Sequence, residues 1–189
     1  IFMLDKQTVY KKQIQKHLYF GGELSCSDLS DLTEKSIPLT AKIINELIDE
    51  GSVIESGFAN STGGRRPQMY SLKSDVMYIV AVSMDQLVTR VAILDMQNNF
   101  AFPIENFELT LANNPKSLNQ LLDLLKKYIQ KSGIVKNKIV GIGIGMPGFV
   151  DIKKSINNTY LKPARGNVVS ELESSLRVPV FINNDSSLV

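Results

Sequence analysis

Tryptophan, cysteine and histidine are almost absent from this sequence. Its 189 residues include no tryptophan, one cysteine and one histidine. The single cysteine, Cys26, excludes an internal disulfide and a cysteine-based zinc cluster within this chain. No second ligand stands at metal-binding spacing from Cys26 or from His17, so we expect both to be packing or surface residues.

The chain also lacks a long apolar run and a strong bias toward one sign of charge. No apolar stretch reaches the length of a membrane span, and charged residues between positions 5 and 12 interrupt the region where a secretion signal would lie. We therefore expect a cytoplasmic protein with no membrane partner. Residues 1–73 carry nine Lys or Arg and nine Asp or Glu, so nucleic-acid binding would require local clusters of charge.

The first seventy residues show helical periodicity followed by strand signals. Three amphipathic segments begin after serine caps or end at glycines, and two short apolar runs enclose a loop rich in glycine and arginine. We predict helices within residues 4–22, 25–36 and 36–51, and an antiparallel hairpin of residues 52–57 and 67–72. Three helices followed by a hairpin is the element order of a winged helix-turn-helix.

The third helix of such a motif enters the DNA major groove with its N-terminal residues against the bases. We predict a buried face formed by Ile37, Ala41, Ile44, Leu47 and Ile48. The early exposed positions would then be Ser36, Leu39, Thr40 and Lys42. Of these, Ser36, Thr40 and Lys42 are our candidates for base and phosphate contacts. The alternative is a small helical domain that binds protein, with Ser36 and Thr40 acting only as helix caps.

Arg65 and Arg66 lie in the loop "FANSTGGRR" between the two predicted strands. Guanidinium groups at a hairpin tip suit a phosphate backbone or a narrow minor groove, and the neighbouring glycines allow close approach. We predict that both arginines bind DNA as part of a wing. The alternative is a solvated hinge between two domains.

The pattern changes after Leu72. Three apolar strand signals are followed by a helix, a strand, a second helix and a last strand that ends in "FINND". This order predicts an α/β layer with a mixed sheet, and an α+β protein overall. The glycines in "GIGIGMPG" alternate along a strand, unlike a phosphate-binding turn that opens a helix. We interpret them as sites of close packing before a tight Pro147–Gly148 turn.

Four stretches together resemble the ROK family, which comprises sugar-responsive repressors and sugar kinases. They are "GGRRPQMYSL", "YIVAVSMD" with "VAILDM", "GIGIGMPGFVD" and "VPVFINND". The resemblance covers nearly the whole chain. It implies a winged helix-turn-helix DNA-binding domain over residues 1–72. Over residues 73–189 it implies the first lobe of an actin-like, ribonuclease-H-like sugar kinase domain, which is incomplete here.

The resemblance also implies a sugar site. Asn184 and Asp185 match the Asn-Asp pair that contacts the sugar in this family, and in its kinases that aspartate is the general base. An amide and a carboxylate suit neighbouring sugar hydroxyls, although a surface Asn-Asp turn is the alternative. The phosphate loop of the kinases corresponds to residues 83–87. Both of its glycines are replaced there and Asp85 adds a negative charge, so we expect no kinase activity.

The chain ends at Val189, and the resemblance implies further elements beyond it: a histidine and cysteine zinc motif, more sugar-binding residues and the second lobe. We therefore expect an incomplete chain with no metal or cofactor of its own. We predict a transcriptional regulator that represses sugar-metabolism genes. It would bind operator DNA as a homodimer or higher oligomer. Its effector would be a sugar or sugar phosphate. The alternatives are a ROK-type sugar kinase with Asp185 as base and a non-catalytic protein-interaction module.

Overall fold

The computed structural model describes most of the chain in two compact units. The described residues are 5–60, 66–151, 153–154, 156–157, 159–163 and 166–185. The first unit runs to Val76 and includes Met96–Asn98, and the second comprises Met77–Asp95 and the residues from Asn99 onward. The predicted domain boundary after residue 72 stays a prediction, because a compact unit does not by itself demonstrate independent folding.

Three helices form most of the first unit, as predicted. They are α1 (Lys6–Gly21), α2 (Cys26–Thr33) and α3 (Ile37–Asp49). A capping box begins α2, because the Ser25 hydroxyl accepts from the Asp28 amide and the Asp28 carboxylate accepts from the Ser25 amide. The helices pack against one another around a set of buried side chains: Tyr10, Ile14, Leu18, Leu29, Ile43, Ile44 and Leu47.

A small antiparallel sheet completes the first unit. Its strands are β1 (Leu24–Ser25), β2 (Val53–Phe58) and β3 (Gln68–Leu72), in the order β1-β3-β2. The predicted hairpin of β2 and β3 is confirmed. The sequence pattern does not predict β1, whose two residues lie between helices without any alternation of their own. Helices followed by this hairpin make the unit a winged helix-turn-helix in element order.

The second unit is built on a five-stranded mixed sheet. Its elements, in chain order, are β4 (Tyr78–Met84), β5 (Val88–Leu94), β6 (Phe100–Glu108), α4 (Ser117–Ser132), a 3-10 turn (Lys136–Lys138), β7 (Ile139–Met146), β8 (Val150–Asp151), β9 (Ile156–Asn157), α5 (Val168–Leu176) and β10 (Val180–Asn184). The strand order is β10-β7-β4-β5-β6. β4, β7 and β10 are parallel, whereas β5 and β6 are each antiparallel to their neighbours. The predicted mixed sheet is confirmed, while the small β8–β9 hairpin is not evident from the sequence.

Alternation along the central strands gives this sheet two unlike faces. One face, with Val80 and Val82 on β4 and Ile142 and Ile144 on β7, is buried in a core shared with α4 and α5. The intervening residues of the same strands line an open groove of about 830 Å³. Ser83, Arg90, Asn183 and Asp185 are the polar and charged residues among those that line it.

Candidate functional site

Thr40 lies on the buried side of α3 and does not face solvent. Its side chain is 0% exposed. The Thr40 hydroxyl donates to the Ser36 carbonyl at 3.0 Å and lies 2.6 Å from the Tyr10 hydroxyl, which also lies 3.1 Å from the Thr33 hydroxyl. The prediction that Thr40 is an exposed base-contacting residue is therefore wrong. A threonine is tolerated in this core because its polar atom has partners there.

The solvent face of α3 lies opposite this buried side. At 100° per residue, Pro38, Lys42, Asn45 and Asp49 form one stripe on the side away from the core, and all four are exposed. Lys42 is 68% exposed on its side chain, with Glu46 Oε1 4.0 Å from its Nζ. Ser36, the residue before α3, is also exposed and makes no side-chain cap hydrogen bond.

The sequence pattern does not indicate Asn45, because the core face that it predicts for α3 has the wrong phase. The predicted core face included Ile37, which is 55% exposed, and omitted Ile43, which is buried. A helical wheel centred on Ile43, Ile44 and Leu47 would have put Asn45 on the outside. The apolar residue at position 37 shifted the predicted face away from that centre.

Ion pairs between α1 and α3 hold the helix that carries Lys42. Lys11 Nζ lies 2.9 Å from Glu46 Oε2 and 2.6 Å from Glu50 Oε1, and the Gln7 amide also donates to Glu46. The hydrogen bond from Lys11 is the main cause that lowers the pKa of the Glu46 carboxyl. Glu46 is thus engaged mainly with α1, which leaves the ammonium group of Lys42 to face solvent.

Hydrogen bonds between the two strands close the base of the wing. The Ala59 amide donates to the Pro67 carbonyl at 3.0 Å, and the Gln68 side-chain amide donates to the Gly57 carbonyl at 2.8 Å. Gly57 has φ 112° at a bulge in β2, a conformation that favours glycine. Arg66 is exposed at this base. Arg65 lies outside the described residues, so its predicted DNA contact stays a prediction, as does that of Arg66.

Asn184 and Asp185 lie at the carboxyl end of β10. This is also the edge where the parallel strands β4 and β7 end, the usual place for ligands in open α/β sheets. Asp185 is exposed and lines the same groove as Ser83, Arg90 and Asn183. The Asn184 side-chain amide donates to the Gly148 carbonyl at 2.7 Å. One function of Asn184 is therefore to attach the strand end to the turn after β7, and its sugar contact stays a prediction.

A buried asparagine shapes that turn. Asn157 is 6% exposed, and its amide nitrogen donates to the Pro147 carbonyl at 3.0 Å. Its side-chain oxygen accepts from the backbone amides of Thr159 and Tyr160, both at 2.8 Å. Gly148 has φ 94°, and a Cβ there would lie 2.8 Å from the Thr159 Cβ. The predicted tight Pro147–Gly148 turn is confirmed, but the sequence gives no signal that Asn157 organises it.

The turn between β4 and β5 is organised by the carboxylate of Asp85. Asp85 Oδ1 accepts from the amides of Leu87 at 2.8 Å and Val88 at 2.7 Å, and Arg90 lies 3.3 Å from Oδ2. The two backbone hydrogen bonds are the main cause that lowers the pKa of the Asp85 carboxyl. The Asp85 carboxylate thus already accepts the hydrogen bonds of the two amides at the start of β5.

The described part of the chain offers neither a metal cluster nor a membrane span. Within it, no group of three His, Cys, Asp or Glu side chains is placed to hold a metal ion. Nor is any of its helices both long and apolar enough to cross a bilayer. His17 is half-buried on α1, and the Cys26 thiol donates to the Ile37 carbonyl at 3.8 Å. Burial raises the pKa of this thiol.

Three curated relatives of this chain are named xylose repressors. The protein of Caldicellulosiruptor bescii is 27% identical over 184 residues, which cover 95% of this chain and 45% of the relative. That of Bacillus subtilis is 25% identical over 181 residues, covering 95% and 47% respectively. That of Staphylococcus xylosus is 29% identical over 186 residues, covering 94% and 46%. The chain spans just under half the length of these relatives. No family model matches it.

A solved structure of a ROK family transcriptional regulator, a homologue of the E. coli MLC protein, has the same fold. It matches 95% of this chain with a TM-score of 0.65 at 18% identity, and the chain covers 46% of it. The predicted ROK resemblance is confirmed. The ROK-type fold extends over nearly the whole chain, as the sequence motifs indicated. At this identity the likeness shows the fold, so the roles of single residues depend on their own geometry.

Proposed function

We propose that this protein is a transcriptional regulator that represses sugar-metabolism genes by binding double-stranded operator DNA. The observation that carries the proposal is a winged helix-turn-helix in the same chain as a ROK-type lobe, together with relatives named xylose repressors. Lys42 on α3, with Ser36 before it, would contact the major groove. Arg66 and Arg65 would bind phosphates or the minor groove through the wing. We assign the protein to the cytoplasm, where operator DNA is accessible.

The effector in this proposal is a sugar or sugar phosphate bound at the carboxyl ends of β4, β7 and β10. Asp185 supports it, because an exposed carboxylate on the groove can accept from sugar hydroxyls. Asn184 would hold the turn after β7 in place beside the sugar, and its own side-chain amide would also contact the sugar. Xylose is the first sugar to test, since it appears in the names of the relatives.

The proposed response to sugar requires at least two conformations of a homodimer or higher oligomer. A sugar can shift the population only if it binds one conformation more tightly than the other. The two conformations would differ in the spacing of two winged helices, which must match the spacing of two half-sites on DNA. The ROK resemblance also implies a zinc site, and we propose that the residues of this chain do not form it.

Selection of bound DNA from a random-sequence duplex library tests the proposal directly. We expect one family of related, two-fold symmetric sequences, and weaker binding to them when xylose or another sugar is added. Retention of duplexes without any common sequence, by a protein whose helices are folded by circular dichroism, would show that the regulator proposal is wrong. Sedimentation of the protein with and without the selected duplex measures the oligomeric state.

A sugar kinase is the second candidate, because an Asn-Asp pair lies at the carboxyl end of β10. The hairpin turn at Asp85 counts against it. Its carboxylate already bonds to the amides of Leu87 and Val88, and its charge would repel a phosphate. We expect no phosphate transfer from ATP to a panel of sugars. Turnover that disappears in an Asp185→Asn variant would favour the kinase instead.

A further inference from the structure

The exposed stripe of α3 consists of Pro38, Lys42, Asn45 and Asp49, and the side chain of Asn45 has hydrogen-bonding properties that the other three lack. Asn45 is exposed in the middle of the stripe, one helical turn after Lys42 and directly opposite the buried side. Its side chain makes no hydrogen bond with another residue among those that the structure describes. An asparagine there does not stabilise the helix, because asparagine is a weaker helix former than alanine or lysine.

The neighbours of Asn45 on the stripe cannot read a base pair as specifically. Pro38 offers no side-chain polar atom, and Lys42 is a flexible point charge whose three donors suit phosphate as well as guanine. Asp49 is the last residue of α3 and is followed by Glu50, so phosphate repulsion opposes close approach of that end. Only Asn45 presents both a donor and an acceptor, which adenine N7 and N6 match in the major groove.

The helix geometry places Asn45 at a useful distance from the cation. Lys42 and Asn45 are three residues apart, a rise of about 4.5 Å along the helix. The base-pair spacing in DNA is about 3.4 Å, so the two side chains would meet neighbouring steps of one groove. A phosphate contact by Lys42 would then fix the register in which Asn45 meets a base edge.

From this placement we infer that Asn45 is a specificity-determining residue that recognises an adenine in the operator. The inference rests on the proposed function, since it requires that α3 lies in the major groove. It assigns sequence preference to Asn45 and general affinity to Lys42. Asn45 thus takes the base-contacting role predicted for Thr40, whose side chain is buried.

The test compares Asn45→Ala and Asn45→Asp with wild type on the selected duplex and on all of its single-base variants. Alanine favours the helix at this exposed position, so the fold is expected to be retained and circular dichroism checks it. Asn45→Ala should lower the preference for A·T at one position of each half-site by roughly 5- to 150-fold, the loss expected for one bidentate contact. Asn45→Asp should shift that position toward cytosine, whose N4 amino group donates to a carboxylate.

Lys42→Ala is the contrasting variant. It should weaken binding to all duplexes by a similar factor and reduce the salt dependence by about one phosphate contact. If Asn45→Ala also weakens all duplexes equally, or changes none, the inference is overturned while the regulator proposal stands. If wild type itself shows no base preference, the regulator proposal fails first and the role of Asn45 fails with it.

Discussion

Replacing Thr40 with valine distinguishes a structural role of its hydroxyl in the core from a role in DNA recognition. Valine keeps the branched shape of threonine and removes the hydroxyl. In the structure that hydroxyl donates to the Ser36 carbonyl at 3.0 Å and lies 2.6 Å from the Tyr10 hydroxyl, with no exposure to solvent. We therefore expect Thr40→Val to reduce the stability of the helical unit and to leave the DNA sequence preference unchanged.

The groups left behind by Thr40→Val determine the size of this loss. The Ser36 carbonyl still accepts the Thr40 backbone amide at 2.9 Å, and the Tyr10 hydroxyl still has the Thr33 hydroxyl at 3.1 Å. No buried polar atom is thus deprived of every partner. The free energy of unfolding should fall by about 0.5–1.5 kcal/mol, the net contribution of a hydrogen bond whose former partners keep other partners.

Amide hydrogen exchange in α3 is the suitable assay. The chain has no tryptophan, so intrinsic fluorescence gives only a weak signal, and exchange reports the unfolding of this unit separately from the other. Thr40→Ser is the control that keeps the hydroxyl. A double-mutant cycle with Tyr10→Phe should show a coupling of about 0.5–1.5 kcal/mol if the two hydroxyls bond to each other. Wild-type exchange in Thr40→Val, combined with lost discrimination at one base pair, would refute the buried role.

Three further predictions concern the wing, the β4–β5 turn and the turn after β7. Arg66→Glu should weaken binding to all DNA sequences and lower the salt dependence of the affinity by about one phosphate contact. Lys16→Glu on α1 is the control and should have a smaller effect. Equal effects of the two variants would argue against a wing contact. The lowered pKa of Asp85 means that its charged form contributes stability above its ordinary pKa and loses it as pH falls through the folded value. In Asp85→Asn the free energy of unfolding should therefore depend less on pH in the acid range. An unchanged pH dependence would contradict this. Gly148→Ala should cost roughly 1–3 kcal/mol of unfolding free energy because φ is 94° and its Cβ would meet a threonine side chain. Gly143→Ala is the matched control, because a Cβ there meets nothing within 4 Å, contrary to the close packing predicted for this glycine. Equal melting of the two variants would contradict the strain.

Much of the fold was predictable because the signals for it are local. Apolar periods of helix and strand, the Ser25 cap of α2 and the glycines that end α1 and α4 all act within a few residues of their own position. The strand that ends in "FINND" and the tight Pro147–Gly148 turn could likewise be predicted from their local sequence. Such signals need no knowledge of what packs against the element.

The candidate sites were less predictable because their arrangement depends on distant partners. Thr40 is buried through Tyr10, thirty residues earlier in the chain, and Asn157 shapes a turn ten residues before it. β1 exists only because two residues of the segment between α1 and α2 lie beside β3.

By itself, then, the sequence determined the order of the main helices and strands, the winged-helix and mixed-sheet classes and the resemblance to ROK proteins. The tertiary structure decided which side of α3 faces solvent, and with it the exchange of Thr40 for Asn45 as the candidate base-contacting residue. It also decided that the carboxylate of Asp85 occupies the amides of its own turn. The physical reason is that a polar side chain can be buried or exposed at similar cost, depending on whether a partner from elsewhere in the chain satisfies its hydrogen bonds.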